Sequence, residues 1–293
     1  MLGASGRGPI PSAQGATDAR GAPHISPRED GHDDLQFNGP ATAPPRGVSA
    51  IMAAIVIIPT YNERENLPEV TARLLDLGLD LDILFVDDNS PDGTGKVAEA
   101  LSRARPRVSV VHRTGKLGYG SAVIEGFRAA LKGDYAWALT MDADLSHDPA
   151  AVPALLRAGA DADLVLGSRF IGGVRVIDWE MGRILLSWMG NGYARAITRL
   201  PVSDITTGFR CYRRSALDAL DLSRIKASGY AFQIEMAYRI WRSGGRLAEV
   251  PITFYGRQKG ASKMSRRIIL EAAILVWRLR LERAGRGPLR AGA

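Results

Sequence analysis

Cysteine and histidine are scarce in this sequence of 293 residues, and their scarcity excludes several kinds of site. Cys211 is the only cysteine, so the chain cannot form an intramolecular disulfide or a cysteine-based zinc cluster. A reducing compartment is therefore the simpler expectation. Two of the four histidines, His112 and His147, lie outside the first 50 residues. A hydrolase built on serine, histidine and aspartate therefore has little support.

Long hydrophobic runs are also missing. The longest largely apolar runs, at 51–58 and 268–277, are shorter than the roughly 18 residues that a membrane-spanning helix needs. We therefore expect a protein that can touch a membrane without crossing it. The 38 lysines and arginines exceed the 31 acidic residues, which gives a net charge of +7. This excess favours a negatively charged partner, but charge alone does not distinguish nucleic acid, lipid headgroups and a diphosphate.

Composition divides the chain into three parts. Residues 1–50 contain eight glycines and seven prolines without a helical or strand-like hydrophobic period, which predicts a disordered tail. Residues 51–265 contain regular apolar segments and form the predicted folded domain. Residues 266–293 contain seven arginines and two glutamates. Apolar residues at helical spacing predict a basic amphipathic helix over 266–283, followed by a C-terminal tail.

Apolar strands alternate with amphipathic helices in the first part of the folded domain. The β-branched run at 55–58 and the run at 83–86 are typical of strands buried on both faces. Helices are predicted at 62–77, 95–105 and 121–131. Further strands are predicted at 108–111, 135–141 and 164–166. This alternation predicts an α/β fold with an open, mostly parallel sheet and helices on both faces.

The end of the folded domain has a different order of elements. Helices are predicted at 181–200 and 232–243, and strands at 209–213 and 247–254. In open α/β sheets, ligands bind beyond the carboxyl ends of the strands. Polar clusters follow four predicted strands, at 60–63, 87–95, 142–147 and 168–169. We therefore expect the functional site at this edge of the sheet.

The most informative cluster is Asp142-Ala143-Asp144, directly after a buried strand. Two carboxylates one residue apart can converge on one cation if the backbone turns there, and oxygen ligands suit Mg²⁺ or Mn²⁺. The alternative is an ordinary acidic turn. His147, in the same loop, is interpreted as a polar residue at a helix start rather than as a neighbour of the metal.

Two further loops and several cations extend the predicted site. The acidic loop at 87–95 has carboxylates that suit a ribose or a base, although Ser-Pro-Asp-Gly is also a competent structural turn. Tyr61 and Glu63 place a ring and a carboxylate where a nucleobase could pack. Cations that suit phosphate follow the predicted strands and the predicted helix start, although any one of them alone is typical of a surface charge. They are Arg169, Arg183, Arg257 and Lys263.

The order of these motifs resembles the polyprenol or dolichol phosphate mannosyltransferases of glycosyltransferase family 2. The resemblance extends over about residues 54–265. The segments that carry it are VIIPTYNE, FVDDNSPDGTG, KLGYG, MDADLSHDP, GSRF, DITTGFRCYR, GYAFQIE, EVPITF and RQKGASK. It implies a GT-A fold in the folded domain, GDP-mannose as the donor, a polyisoprenyl phosphate as the acceptor, and inversion at the anomeric carbon.

The resemblance also implies roles for single residues. Asp142 and Asp144 are the expected metal ligands for Mg²⁺ or Mn²⁺, and Asp144 and Arg169 the expected catalytic residues. Ser146 stands where some relatives have a glutamine ligand, so it is left out of the metal set. The residues expected to bind the nucleotide sugar, its diphosphate or the acceptor phosphate are Pro59, Tyr61, Glu63, Val86, Asp88, Asp142, Ala143, Asp144, Arg169, Arg183, Arg257 and Lys263.

The predicted function is therefore a metal-dependent polyprenyl-phosphate β-D-mannosyltransferase. The acceptor phosphate is already anionic at pH 7, so its attack on the sugar needs no strong general base. Some relatives carry C-terminal membrane-spanning helices that this chain lacks. We therefore expect a cytoplasmic protein that is peripherally associated with the cytoplasmic face of a membrane. Its basic helix would contact the membrane surface or a membrane-embedded partner protein, or pack on the catalytic domain.

Three alternatives stay open. A related transferase would use UDP-glucose or another nucleotide sugar with a polyprenyl phosphate. The second alternative is a catalytically silent nucleotide-binding subunit of a membrane complex. Such a subunit would have no need for metal-binding carboxylates next to phosphate-binding cations, and this chain has both. Nucleic-acid binding would explain the positive charge but not the acidic loops, so no nucleic-acid partner is expected.

Overall fold

The computed structural model describes residues 53–225, 227, 229–256 and 266–282. The predicted tail at 1–50, the phosphate contacts expected of Arg257 and Lys263, and the C-terminal tail after residue 282 lie outside the described residues. The described residues comprise most of the predicted folded domain up to residue 256, together with the predicted basic helix.

Nine strands and eight α-helices follow one another in the described residues. The strands are β1 (Ala54–Thr60), β2 (Leu81–Asp87), β3 (Val108–His112), β4 (Trp137–Thr140), β5 (Leu164–Ser168), β6 (Val176–Ile177), β7 (Arg210–Arg213), β8 (Leu247–Pro251) and β9 (Phe254–Tyr255). The helices are α1 (Leu67–Leu75), α2 (Thr94–Ala104), α3 (Tyr119–Ala130), α4 (Val152–Ala158), α5 (Met181–Thr198), α6 (Arg214–Asp218), α7 (Gly229–Arg242) and α8 (Arg266–Leu281). Short 3₁₀ turns lie at Pro149–Ala151, Gly159–Asp161 and Leu222–Arg224.

Seven of the strands form one sheet in the order β3-β2-β1-β4-β7-β5-β8. β7 is antiparallel to both of its neighbours, whereas the other pairs of adjacent strands are parallel. Its first residue, Arg210, is paired with Thr140 at the end of β4. The segment that leads into β7 therefore lies at the same edge of the sheet as the carboxyl ends of the parallel strands.

Apolar residues cover both faces of the sheet, as the predicted α/β fold requires. Alternate residues of β1 point to opposite faces, with Ile55 and Ile57 on one face and Val56 and Ile58 on the other. Helices α3, α5, α7 and α8 contribute buried residues to the first face, and helices α1, α2 and α4 to the second. The predicted layer arrangement is therefore confirmed.

Two predicted elements have different bounds in the structure. The helix predicted over 62–77 begins only at Leu67, because the preceding loop bonds to the loop after β2 instead of winding into a helix. Asn62 has a φ of 61°, and its N–H donates to Ser90 Oγ at 3.1 Å. The strand predicted over 247–254 is divided into β8, which pairs with β5, and β9, which pairs with β6. Helices α4 and α6 had not been predicted.

The helices are too short or too polar to span a bilayer. None of those in the described part of the chain is both long enough and apolar enough to cross a membrane. The basic amphipathic helix predicted at the C-terminal end is present as α8. Its buried residues Val276 and Leu279 join the apolar core beside α7. The helix therefore packs on the domain along one side.

Candidate functional site

The loop after β4 turns sharply and brings Asp142 and Asp144 to the carboxyl edge of the sheet. Leu145 has a φ of 57°, an uncommon value for a residue with a bulky side chain. The Ser146 hydroxyl and the Ser146 N–H both donate to Asp144 Oδ1, at 2.6 and 3.1 Å. Asp144 is buried, whereas the Asp142 side chain is partly exposed. The backbone therefore makes the turn that two carboxylates need to approach one cation.

His147 supports this acidic loop from inside the fold. The backbone N–H of Asp142 donates to His147 Nδ1 at 3.2 Å, which places the ring proton of the neutral histidine on Nε2. The ring is stacked on Phe209 with centroids 5.1 Å apart and meets Phe254 edge-on at 5.3 Å. The interpretation of His147 as a helix-start residue was wrong, because Asp148 caps the following turn by accepting the Ala150 N–H at 3.0 Å.

The donor set of the acidic loop decides which metal it suits. No group of three or more histidine, cysteine, aspartate or glutamate side chains that could hold a metal ion occurs within the described residues. Two carboxylates fit Mg²⁺ or Mn²⁺, which are commonly held by one or two carboxylates together with waters and substrate phosphates. They do not fit a closed structural zinc site, which needs four protein ligands. Asp142 and Asp144 thus stay the predicted metal ligands.

The predicted nucleotide contacts lie side by side at the ends of β1 and β2. Pro59 is paired with Val86 in the parallel register, and the Asp88 N–H donates to the Thr60 carbonyl at 3.0 Å. Tyr61 follows directly, with the ammonium of Lys116 3.9 Å from its ring centroid. This cation–π contact had not been predicted, and it brings the KLGYG segment over the aromatic ring.

Asp88 organises the loop before α3. Its carboxylate accepts hydrogen bonds from the Arg113 guanidinium and from the N–H groups of Leu117 and Gly118, the latter two at 3.0 and 2.8 Å. Asp88 is therefore well supplied with donors from the chain itself. A direct contact of Asp88 with a nucleotide stays a prediction, and the structure adds a role in positioning the loop at 113–118.

The loop after β2 is also a structural turn. Asp92 Oδ1 accepts hydrogen bonds from the Thr94 N–H at 2.9 Å and the Thr94 hydroxyl at 2.6 Å. The Thr94 hydroxyl oxygen also accepts the Glu63 N–H at 2.9 Å. This hydrogen bond connects the loops after β1 and β2 and fixes the backbone position of Glu63.

Arg169, at the end of β5, forms a buried ion pair with Asp204. Its Nε and Nη2 atoms donate to the two carboxylate oxygens at 2.6 and 2.7 Å, and its backbone N–H donates to Oδ2 at 3.0 Å. Arg169 is 4% exposed and Asp204 0% exposed. Although burial raises the pKa of Asp204, the charge and hydrogen bonds of Arg169 lower it more, so the carboxylate stays ionised. The phosphate role of Arg169 stays a prediction.

The segment that holds Asp204 is itself fixed by two other charged residues. Glu249, on β8, accepts the N–H groups of Ser203 and Asp204 at 2.7 and 2.9 Å. Arg210 is fully buried, and its guanidinium donates to the carbonyls of Ile205, Thr207 and Gln233 at 2.6–2.8 Å. The 203–210 segment is therefore held rigidly against β8 and α7 at the edge that carries the acidic loop.

An apolar cavity opens next to this segment, between α5, α7 and α8. It has a volume of about 120 Å³. Thr206 lines one side and its hydroxyl oxygen accepts a hydrogen bond from Arg169 Nη2 at 2.9 Å. Arg183 lies on the wall with its guanidinium carbon 3.9 Å from the centroid of the Trp179 ring. The remaining lining is mostly apolar: Leu186, Gly190, Tyr193, Ala194, Ile234, Ala272 and Ala273, with the hydroxyl groups of Ser187 and Tyr230.

The outer sides of α5 and α8 form an exposed apolar surface, here called the α5–α8 surface. The two helices are in contact, and Trp277 Nε1 donates to Tyr193 Oη at 3.0 Å across them. Large apolar side chains that are between 44 and 76% exposed make up this surface: Met181, Leu185, Leu186, Trp188, Met189, Tyr193, Ile274, Trp277 and Leu281. Such a concentration of exposed apolar residues is typical of a surface that binds a membrane or another protein.

Comparison with known proteins agrees with the order of motifs at this edge of the sheet. The family model described as "Glycosyl transferase family 2" matches residues 55–221, more than half of the chain. The chain belongs to glycosyl transferase family 2. The match runs from β1 through β7 and includes the acidic loop, Arg169 and Asp204.

Two curated members of the family are close relatives. The chain is 47% identical over 227 residues to the undecaprenyl-phosphate mannosyltransferase of Micrococcus luteus, a match that covers 78% of this chain and 93% of the relative. It is 46% identical over 252 residues to the polyprenol monophosphomannose synthase of Mycolicibacterium smegmatis, with 84% and 95% covered. The resemblance to the polyprenol phosphate mannosyltransferases of family 2 is therefore confirmed.

A solved structure shows the same fold at lower sequence similarity. Glucosyl-3-phosphoglycerate synthase from Mycobacterium tuberculosis superposes with a TM-score of 0.58 at 20% identity, and 77% of this chain and 78% of that chain are covered. The likeness agrees with the mostly parallel sheet of this chain. The predicted GT-A fold of this family 2 member is thus confirmed.

The predicted site residues that the structure describes lie at one edge of the sheet in this family 2 member. They are near the ends of β1, β2, β4 and β5 or at the start of α5. Sequence reasoning missed Arg113, Lys116, Asp204, Arg210 and Glu249. Asp204 and Arg210 stand in the recognised segment DITTGFRCYR, but their partners lie 35 and 23 residues away, and no local pattern connects such pairs.

Proposed function

We propose that this family 2 glycosyltransferase moves mannose from GDP-mannose to a polyprenyl phosphate with inversion, giving polyprenyl-phosphate-mannose and GDP. The observation that carries this proposal is the apolar cavity beside Arg169 and Thr206. The acidic loop for a donor diphosphate lies at the same sheet edge. A transferase with a water-soluble acceptor would have no need for an apolar cavity there.

The names of the relatives support the choice of sugar and acceptor. The Micrococcus luteus protein is named for undecaprenyl phosphate and mannose, and the Mycolicibacterium smegmatis protein for a polyprenol monophosphomannose. Both matches cover more than nine tenths of the relative. Neither name specifies the nucleotide, so the transfer experiment below compares a GDP-sugar with a UDP-sugar.

Asp142 and Asp144 would hold Mg²⁺ or Mn²⁺ in the proposed reaction. The bound cation would act as a Lewis acid that stabilises the charge of the departing diphosphate. The structure of glucosyl-3-phosphoglycerate synthase, which shares the fold, contains Mn²⁺ and UDP. Comparing transfer with each cation in turn would choose between the two for this chain.

The chain's own residues would bind and align the two substrates. Tyr61 and Glu63 would contact the nucleoside at the ends of β1 and β2. Arg183 lies on the cavity wall beside Trp179, so we place the acceptor phosphate next to its guanidinium. Arg169 shares its charge with Asp204 and would hold the phosphate less strongly. Because the attacking phosphate is an anion already, alignment and charge neutralisation suffice without a general base.

The α5–α8 surface would bring the catalytic edge to the lipid acceptor. Its exposed tryptophans Trp188 and Trp277 suit a membrane interface, and the exposed arginines Arg195 and Arg278 lie on the same two helices, with exposed Arg199 directly after α5. Each basic residue close to an anionic leaflet contributes about 1 kcal/mol of binding free energy. We therefore propose peripheral attachment at the cytoplasmic face of a membrane. A membrane-embedded partner protein is the alternative.

Transfer into lipid tests the reaction directly. The full chain is incubated with Mn²⁺, a polyprenyl phosphate and either radiolabelled GDP-mannose or radiolabelled UDP-glucose, and the products are extracted into organic solvent. We expect label in the organic phase with GDP-mannose. Label only with UDP-glucose would overturn the donor assignment. Failure to transfer either sugar would favour a silent nucleotide-binding subunit.

Sedimentation with vesicles tests the attachment. Trp188→Asp combined with Trp277→Asp is compared with Leu117→Asp, which changes an equally exposed apolar residue near α3. Vesicles of phosphatidylcholine and phosphatidylglycerol should pellet the wild type and the Leu117→Asp variant but not the double variant. If the double variant pelleted like the wild type, a protein partner would be the better explanation of the α5–α8 surface.

A further inference from the structure

Gly208 is where the side chains of Tyr119 and Asp142 come close together at the edge of the sheet. A Cβ atom on this residue would lie 3.1 Å from Tyr119 Oη, 3.4 Å from Asp142 Oδ1 and 3.6 Å from His147 Cε1, so only a glycine fits there without displacing a neighbour. Under the proposed function, Asp142 holds the cation that binds the donor diphosphate. The sugar, which is bonded to that diphosphate, would then lie near Tyr119 as well.

Tyr119 directs its hydroxyl group toward Gly208. It is the first residue of α3, and its oxygen accepts a hydrogen bond from Gln233 Nε2 at 2.9 Å. Burial, followed by the nearby negative charge of Asp142, raises the pKa of Tyr119 well above its ordinary value. The hydroxyl therefore keeps its proton at neutral pH and is able to donate a hydrogen bond while it accepts the one from Gln233.

Gln233 fixes the orientation of this hydroxyl and contributes a second polar atom. Its side chain is 2% exposed, and its backbone carbonyl accepts a hydrogen bond from Arg210 at 2.7 Å. Its Oε1 atom is buried and has no hydrogen-bond partner in the described structure. A buried acceptor without a partner is costly in a folded protein, so its retention beside a ligand site points to a donor that arrives with the ligand.

We infer that Tyr119, held by Gln233, is a specificity-determining residue that recognises a hydroxyl group of the donor sugar beside Asp142. The Tyr119 hydroxyl supplies a hydrogen-bond donor and Gln233 Oε1 an acceptor, and a sugar hydroxyl can satisfy both kinds of partner. The inference rests on the proposed function, because Asp142 must be a ligand of the cation at the donor diphosphate.

The alternative is that the tyrosine only packs the fold. Its ring meets Phe232 edge-on with centroids 6.2 Å apart, a contact that phenylalanine would also make. The variant Tyr119→Phe therefore keeps the packing and removes only the hydroxyl. A packing role predicts no difference between a nucleotide with its sugar and a nucleotide without one.

Calorimetric titration of Tyr119→Phe with two ligands distinguishes these roles. The full chain is titrated in the presence of Mn²⁺ with GDP-mannose and, separately, with GDP. We expect the variant to bind GDP-mannose about 3- to 10-fold more weakly than the wild type, which corresponds to one neutral hydrogen bond, and to bind GDP with unchanged affinity. Equal losses for both ligands, or no loss for GDP-mannose, would overturn the inference.

A second variant displaces the Tyr119 hydroxyl from the other side. Gly208→Ala places a methyl group 3.1 Å from Tyr119 Oη and 3.4 Å from Asp142 Oδ1, so it should weaken the binding of both ligands, and that of GDP-mannose more than that of GDP. Gly192→Ala is the matched control, because a Cβ there meets no atom within 4 Å. If Gly208→Ala bound GDP-mannose like the control, or lost the same affinity for GDP-mannose as for GDP, the inference would be wrong.

Titration of the wild type with GDP-glucose and UDP-glucose as well separates this inference from the proposed function. A wild-type chain that bound GDP-mannose no better than GDP-glucose or UDP-glucose would contradict the donor assignment before any variant is compared, and the inference would fail with it. A wild type that prefers GDP-mannose, together with a Tyr119→Phe variant that loses affinity for GDP to the same extent, would contradict the inference alone.

Discussion

The candidate site lies along the carboxyl edge of the sheet, and its two halves are built differently. The first half is formed by the loops after β1 and β2, and the second half by the segments around β4, β5 and β7. The loops after β1 and β2 are joined by hydrogen bonds of hydroxyl and backbone groups, such as the Glu63 N–H to Thr94 bond, and the buried charges beside them are Asp87 and the pair of Asp88 with Arg113. The segments around β4, β5 and β7 are joined by buried charges, with Arg169, Asp204 and Arg210 all at most 4% exposed. Under the proposed function a nucleotide enters and leaves at the first half, whereas the second half is a rigid frame beside an apolar cavity.

This difference in burial predicts which single substitutions lower the stability of the fold most. Removing one partner of a buried ion pair leaves the other charge without compensation, which costs several kcal/mol. Removing one group from a solvated loop costs much less, because water replaces it. Changes to the buried charges of the second half should therefore lower stability, and changes to solvated side chains of the first half, such as Tyr61, should mainly lower affinity for the nucleotide.

The acidic loop after β4 should give the largest effect on activity. Asp144→Ala removes a predicted ligand of the cation and should lower transfer of mannose by about a thousandfold, because the charge of the departing diphosphate loses its stabilisation. Transfer is measured with saturating Mn²⁺, and circular dichroism checks that the fold is intact. Asp161→Ala, at an exposed acidic residue, is the control. Near-normal activity of Asp144→Ala would remove the basis for a metal role.

The contrast in stability comes next in size. Asp204→Ala leaves the Arg169 guanidinium buried without its carboxylate and should lower the free energy of unfolding by about 3–5 kcal/mol. Glu69→Ala breaks an exposed pair with Arg73 on α1 and should cost about 0.2–0.5 kcal/mol. Urea denaturation measures both. Similar losses in the two variants would contradict the expected difference between a buried and an exposed ion pair.

Low pH should lower the free energy of unfolding through the ion pair of Arg169 and Asp204. The pKa of Asp204 is lower in the folded chain than in the unfolded chain, where it is about 3.9. The unfolded chain therefore binds the proton first as pH falls, and the stabilisation by ionised Asp204 is present above about pH 4 and is lost below it. Urea denaturation between pH 7 and 3 should show the wild type approaching Asp204→Asn in stability. A constant difference would argue against this titration.

Much of the first half could be predicted from the sequence, because its signals are local. The apolar runs at 55–58 and 83–86 are within the observed β1 and β2, and the polar residues that follow them meet at one edge. Parallel neighbours with short loops leave few other arrangements. The burial of both faces followed from the same pattern.

The second half could not be predicted to the same extent, because its geometry depends on residues far apart in the chain. The strand at 209–213 was expected, but nothing in its composition shows that it runs antiparallel between β4 and β5. The pairing of Arg169 with Asp204 spans 35 residues. His147 supports the acidic loop only because Phe209 and Phe254 enclose its ring.

The division of labour between the two halves is the central claim, and steady-state kinetics with both substrates tests it most directly. Tyr61→Ala removes the ring predicted to stack on the base and should raise the KM for GDP-mannose about tenfold, with an unchanged KM for the polyprenyl phosphate. Leu186→Asp places a charge in the lining of the apolar cavity and should raise only the KM for the polyprenyl phosphate. If either variant raised both KM values equally, the two substrates would not be bound by separate halves.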